Sequence, residues 1–335
     1  MKKYIYIVLC LLCLLQSITF SVSVRKIKSL GFDKTNFSKS SISLEDVFSG
    51  GPSKDGIPSI DKPKFVALKF SVLNQYKTEP VIVIDYKNVV KAYPIRLLMW
   101  HEIVNDKINQ ESIVITFCPL CNAGIVYDTN FNGKNHRFGV SGLLRNSDMI
   151  FYDDETETLW QQFTGIGLVG DYKDKSLKHI PSMLMSFESL LKKYPQAQIL
   201  SSKTGFNRRY GKNPYAMYDE GNTYFPTFPI NSRKNKLGRL LGILLDGKAY
   251  HFALNDLNKF RNKKIEIDGK ILKVRVHGKH NAALNKASIR QSKLINSVSV
   301  YQINKLTKKE ELLVSSTFFR FAWLGFYPNS KKLNK

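Results

Sequence analysis

Cys118 and Cys121, with Pro119 and Leu120 between them, stand in the stretch SIVITFCPLCNAGIVYDT, residues 112–129. Thiols at this spacing can close an internal disulfide, attack an oxidised sulfur or grip a soft cation. A bridge made only for stability is the weakest of these readings, because closing so short a loop restrains the unfolded chain by only about 2 kcal/mol. A strand running into Cys-Pro-Leu-Cys spells a thioredoxin-type site, in which the second cysteine lies in a long helix. Here Asn122, Ala123 and Gly124 lead instead into the strand-like IVYDT. The pair is expected in a turn between strands, so a thiolate would need nearby cations, with His101 and Arg145 as sources.

The metal reading uses the same atoms. Two cysteines alone do not close a four-ligand zinc site. The other candidates, His277 and His280 in VHGKH, are distant in sequence, closer-spaced than usual and read as surface histidines. Copper(I) asks less, since two thiolates hold it almost linearly. Met183 and Met185 read as core packing rather than as further soft donors.

A second cluster is WHEIVND, residues 100–106. Read as part of a helix over 94–108, it places His101 and Asn105 on one face and Glu102 and Asp106 on the neighbouring one. His101 is the candidate acid–base partner of a thiol, with Asn105 or Asp148 orienting groups nearby. The cluster lacks the HExxH of a zincin helix. Around Ser141, GVSG lacks the Gly-x-Ser-x-Gly elbow of a hydrolase, so Gly139 and Gly142 read as a tight bend. DDETE, residues 153–157, reads as an acidic hairpin turn.

The elements that must hold these groups are short. FVALKF, PVIVIDY, NVVKAYP and SIVITFC read as strands, followed by a meander of GIVYDT, HRFGVSG, DMIFYDD and TLWQQF. Besides the helix at 94–108, a second is expected over 182–193, and a short one at SLEDVF capped by Ser43. VIDYKNVVKAYPIRLL (83–98) and GILLDGKAYHFALNDL (242–257) echo each other when aligned on Lys-Ala-Tyr. The echo marks a duplication or two similar hairpins. The fold class is α+β, predominantly antiparallel β with a few short helices, and not thioredoxin-like.

Residues 1–23 read as an export signal, with Lys2 and Lys3 before an apolar run from Tyr4 to Phe20; an uncleaved anchor is the alternative. Cys10 and Cys13 lie inside it, leaving Cys118 and Cys121 as the cysteines of an exported, periplasmic or extracellular product. A polar segment with a short helix (24–59), one β-rich domain (60–328) and a polar tail (329–335) follow. The chain carries 51 Lys and Arg against 27 Asp and Glu, a formal net charge of +24. That balance suits peripheral contact with an anionic membrane surface. Nucleic acid is not expected, because no binding motif accompanies the charge.

Six blocks occur in a familiar order: GGPSKDGIPSID, KAYPIRLLMWHEIVND, FCPLCNAGIVYD, FGVSGLLRNSDMIFYDDETETLWQQ, IPSMLMSFESLLKKYP and FRFAWLGFYP. Over residues 43–328 the chain resembles the bacterial family catalogued as domain of unknown function 3179. The resemblance implies no established reaction. Some members carry selenocysteine in the cysteine motif, which implies redox chemistry or soft-metal binding at Cys118 and Cys121. The positions of His101, Glu102, Asn105, Ser141, Asn146, Asp148 and Trp160 also fall in family motifs, as candidates for the surrounding pocket. The leading expectation is thiol–disulfide exchange with an unidentified partner or substrate and no cofactor, Cys118 attacking and Cys121 resolving. The alternatives are a copper(I) carrier and a non-catalytic exported domain.

Overall fold

Val81, Ile82, Val83 and Ile84 are all buried, the pattern of a strand covered on both faces. They belong to β1 (Pro80–Tyr86), which pairs with β2 (Val89–Pro94) through the turn Lys87-Asn88. Both turn residues have positive φ, 50° and 66°, the geometry of a two-residue hairpin. The computed structural model describes residues 23–221, 223–228 and 236–333. The expected export signal, with Cys10 and Cys13, falls almost wholly outside these residues.

Helix α1 is shorter than expected, Ile95–His101. At Glu102 the backbone turns to φ 57°, and Ile103–Ile108 is strand β3, paired with β4 (Glu111–Cys118). Ile103 fits a helical stripe and a strand alike, which is why periodicity ran the helix on. The adjacent Ile103 and Val104 favour the strand, and Ile60 bridges to Val104 on its other side. His101 and Asn105 therefore do not share a helix face. After β4 comes a single 3-10 turn, Pro119–Cys121, then Asn122 in the left-handed region and β5 (Ala123–Asp128), with Cys118 facing Ala123. The cysteines thus occupy a strand-to-strand turn, as expected.

Strands β6 (Phe138–Arg145) and β7 (Asp148–Asp153) form a hairpin in a second sheet. Val47–Ser49 pairs with β6, and Ile27, Phe32 and Val47 pack with Leu143 and Ile150, so the N-terminal segment is built into this sheet. The 3-10 turn Leu44–Asp46, capped by Ser43, precedes it. The expected helix over 182–193 divides into β8 (Met183–Ser186), paired with β1, and α2 (Phe187–Lys193), capped by the Ser186 side chain. Met183 and Met185 lie in the core beside Phe187 and Leu190. Strand β9 (Gln198–Leu200) then lies parallel to β2.

The second half repeats this order. Strands β10 (Arg239–Leu245) and β11 (Lys248–Ala253) form a hairpin in which Leu240 faces Ala253, as Val81 faces Pro94. Helix α3 (Leu257–Phe260) follows, then β12 (Lys264–Ile267), β13 (Lys270–Asn281) and β14 (Leu294–Ile303), in the places of α1 and β3–β5. Strand β15 (Ser315–Phe319) pairs with β10 as β8 does with β1. Helix α4 (Arg320–Phe326) has the 7 residues of α2, and each ends before a Tyr-Pro, Tyr194-Pro195 or Tyr327-Pro328. Finally β16 (Lys331–Lys332) runs parallel to β11, as β9 does to β2. The same unit therefore occurs twice. Its register is not the one Lys-Ala-Tyr suggested: the turn Asp246-Gly247 matches Lys87-Asn88, which sets Tyr93 against Phe252 rather than Tyr250.

The halves pack crosswise, β8 against β13 and β14, and β15 against β5. Counted from their hairpin turns, His277 and His280 fall at the same number as Cys118 and Cys121 in the first half, although both lie within β13 rather than in a turn. They are not surface histidines, because His280 is buried and bonded to Ser297 and His277 is half-buried. Among the described residues no helix is long and apolar enough to cross a membrane.

Candidate functional site

Both thiols are enclosed, Cys118 with 1% and Cys121 with 0% of its surface exposed. They are free cysteines. Each approaches the Ser147 carbonyl oxygen, Cys121 Sγ at 3.4 Å and Cys118 Sγ at 3.9 Å. Ser147 can present that carbonyl because Asn146 and Ser147 form the tight β6–β7 turn, with φ 51° and 55°. The next residue, Asp148, completes the cluster. One sulfur from each cysteine and one Asp148 carboxylate oxygen all lie within 4.8 Å of one another.

Asp148 is held from behind. Its Oδ2 accepts from Gln161 Nε2 at 2.8 Å and from the Phe163 amide at 2.9 Å. Its Oδ1 is buried and makes no well-formed hydrogen bond. Gln161 is itself tied at 3.4 Å to Arg145, whose guanidinium also faces Asp46 and stacks over Phe228. Arg145 thus supports Asp148 through Gln161 and does not touch the sulfurs.

Glu102 adds another acid. Its amide donates to Leu98 and its carbonyl accepts from the Phe117 amide, which fixes it beside the end of β4. Burial, reinforced by Asp148, pushes its carboxyl up to about 8, against a hydrogen bond from Tyr215. Burial likewise pushes Asp148 up to about 7, although Gln161, the thiols and the Phe163 amide draw it down. Burial raises the Cys118 thiol, and burial with Cys118 and Asp148 as neighbours raises Cys121 well above its usual value. Four groups that become anionic on losing a proton therefore share one buried site. Burial raises all four, and positive charge is what would reverse the four shifts together.

Residues 215–221 and 223–228 cover the site. Tyr218 Oη donates to the Leu120 carbonyl at 3.1 Å, Ser147 Oγ to that of Phe225 at 2.9 Å, and the Phe228 amide to Asn146 Oδ1 at 2.5 Å. Beneath them is a cavity of about 70 Å³ whose lining includes Glu102, Cys118, Met149, Tyr215 and Phe225, but not Cys121.

Of the expected site residues, the fold brings Cys118, Cys121 and Asp148 together. His101 is buried, and its ring nitrogens meet the Pro58 carbonyl and Tyr210 Oη, each at 2.7 Å. Burial lowers its pKa, so at neutral pH it is an uncharged strut between loops. Asn105 clamps β3 to β6, donating to the Phe138 carbonyl and accepting from the Phe138 amide. Ser141 is also structural, its hydroxyl donating to the Ile150 carbonyl and accepting from the Leu143 amide. Beside it Gly142 has φ 77°, and a Cβ there would lie 2.1 Å from the Pro52 oxygen, so glycine is required. Sequence reasoning gave no role to Gln161 or to the covering Tyr215 and Tyr218. Gln161 lies in a recognisable block, whereas nothing local marks the tyrosines.

Residues 54–330 match the family model described as Protein of unknown function (DUF3179). No curated protein and no solved structure matches the chain.

Proposed function

The chain belongs to the DUF3179 family, and we propose that its cysteine site binds a thiophilic metal ion through Cys118 Sγ, Cys121 Sγ and the Asp148 carboxylate. One observation carries this reading: two thiols and a carboxylate with a buried, unbonded oxygen converge within 4.8 Å. Gln161 and the Phe163 amide orient the carboxylate as the outer partners of metal ligands do. The mixed sulfur and oxygen set, with up to three negative charges, suits a borderline divalent ion such as zinc better than copper(I). Cys118 and Glu102 line the neighbouring cavity, and an ion held by the three ligands would supply Lewis-acid chemistry beside it. The protein's own part is to exclude water, fix the carboxylate and hold a proton on Glu102. We place the site in an exported protein, on the strength of Lys2, Lys3 and the apolar run to Phe20.

The test is zinc and copper(I) titration of the reduced protein beside its Cys118→Ser variant. One tight site lost in the variant supports the proposal. Equal, weak binding by both refutes it.

A second reading, thiol–disulfide exchange, rests on the asymmetry of the thiols, since Cys118 lines the cavity and Cys121 does not. Cys118 thiolate would attack one sulfur of a disulfide and expel the other as thiolate. Cys121 would then give its proton to Asp148, displace the second thiolate from Cys118 and close the internal bridge. Two electrons would pass to the substrate.

A further inference from the structure

The positive charge is unevenly balanced over the surface. Many exposed lysines sit beside acids, as Lys39 does with Asp171, Lys134 with Glu155 and Lys248 with Asp268. Residues 62–78 and 201–217 contain no acid at all. These segments are neighbours: the Ser201 amide donates to the Lys64 carbonyl at 2.8 Å, and β9 pairs with the edge strand Phe65–Ala67. Phe70, Val72, Ser201 and Ser202 line one shallow depression. On these two segments Lys62, Lys64, Lys69, Lys203, Arg208 and Arg209 are exposed, and none has an ion-pair partner among the described residues. Three apolar side chains stand out on these two segments, Phe70 at 71%, Val72 at 47% and Phe206 at 42% exposure.

We propose that this end of the first-half sheet docks on an anionic phospholipid surface, with the cations on lipid phosphates and Phe70, Val72 and Phe206 entering the headgroup boundary. Exposed apolar side chains interleaved with unpaired cations are the pattern of an interfacial binder, whereas a merely solvated lysine face needs no protruding phenylalanines. The loop is braced for this task, since Thr204 Oγ1 meets Tyr210 Oη at 2.6 Å and Tyr210 Oη meets the buried His101. Attraction to acidic lipid contributes about a five-fold gain in binding per basic residue near the surface.

The test uses the full chain with Phe206→Trp and vesicles of brominated lipid, either pure phosphatidylcholine or containing phosphatidylglycerol. The new tryptophan should be quenched by the phosphatidylglycerol vesicles and not by pure phosphatidylcholine, and salt should weaken the effect. Adding Lys203→Glu, Arg208→Glu and Arg209→Glu should weaken vesicle binding at least 100-fold, with the far-ultraviolet circular dichroism unchanged to show that the fold survives. Quenching that ignores lipid charge, or that survives the triple reversal, overturns the proposal. Vesicle association without quenching also overturns it, because the chain would then be held through its N-terminal apolar run.

Discussion

Replacing Asp148 by Asn should have opposite effects in the metal-free and metal-loaded protein. Without metal, burial raises the Asp148 carboxyl from 3.8 to about 7. A group whose folded value lies above its unfolded value stabilises the fold fully below the unfolded value. That contribution is lost as pH climbs through the folded one. The shift from 3.8 to about 7 corresponds to about 4 kcal/mol withdrawn by pH 8. Asn can present its oxygen to Gln161 and the Phe163 amide and never ionises. The chelated, reduced Asp148→Asn protein should therefore be more stable than native at pH 8 by up to about 4 kcal/mol, several degrees in Tm for a chain of this size. The gap should close toward pH 4. Saturating zinc should reverse the order, adding about 4 kcal/mol to the native protein at a thousand-fold excess over Kd and much less to the variant. Urea unfolding at pH 4 and pH 8, with and without zinc, measures all of this. The reasoning is refuted if metal-free Asp148→Asn is the less stable protein at pH 8, or if zinc stabilises both proteins equally.

Other substitutions probe the surroundings. Gln161→Leu removes a donor to Asp148 Oδ2 and should lower zinc affinity 10- to 100-fold, read by competition with a chromophoric chelator, while the protein still folds. Tyr218→Phe loses the hydrogen bond to the Leu120 carbonyl. It should cost about 1 kcal/mol and speed alkylation of the metal-free thiols by loosening their turn. His101→Gln gives up contacts to Pro58 and Tyr210 and should cost roughly 1–3 kcal/mol in urea unfolding. It should leave zinc affinity and thiol titration unchanged, and a shift in the thiol titration would restore His101 as their acid–base partner.

The sequence showed the turn between strands at Cys118 and Cys121 because strands announce themselves by apolar runs and Asn122-Ala123-Gly124 continues no helix. It misjudged residues 94–108 and 182–193 for one shared reason. In each, a helix of about two turns abuts a strand, Ile103–Ile108 or Met183–Ser186, whose apolar residues also satisfy the helical period. Asp148 could be nominated but not located, since it reaches the thiols through a hairpin of another sheet. The duplication was audible in Lys-Ala-Tyr yet out of register, because strand pairing, not residue identity, carries the repeat. Tyr215 and Tyr218 arrive on irregular chain, where no periodicity points at the site.

The state of Cys118 and Cys121 in protein purified anaerobically without added metal separates a metal centre from a disulfide. Metal analysis and thiol counting on that one sample should find about one thiophilic ion per chain, with both thiols reduced and resistant to alkylation until a chelator is added. A metal-free protein whose Cys118 and Cys121 are joined in a disulfide would contradict the account.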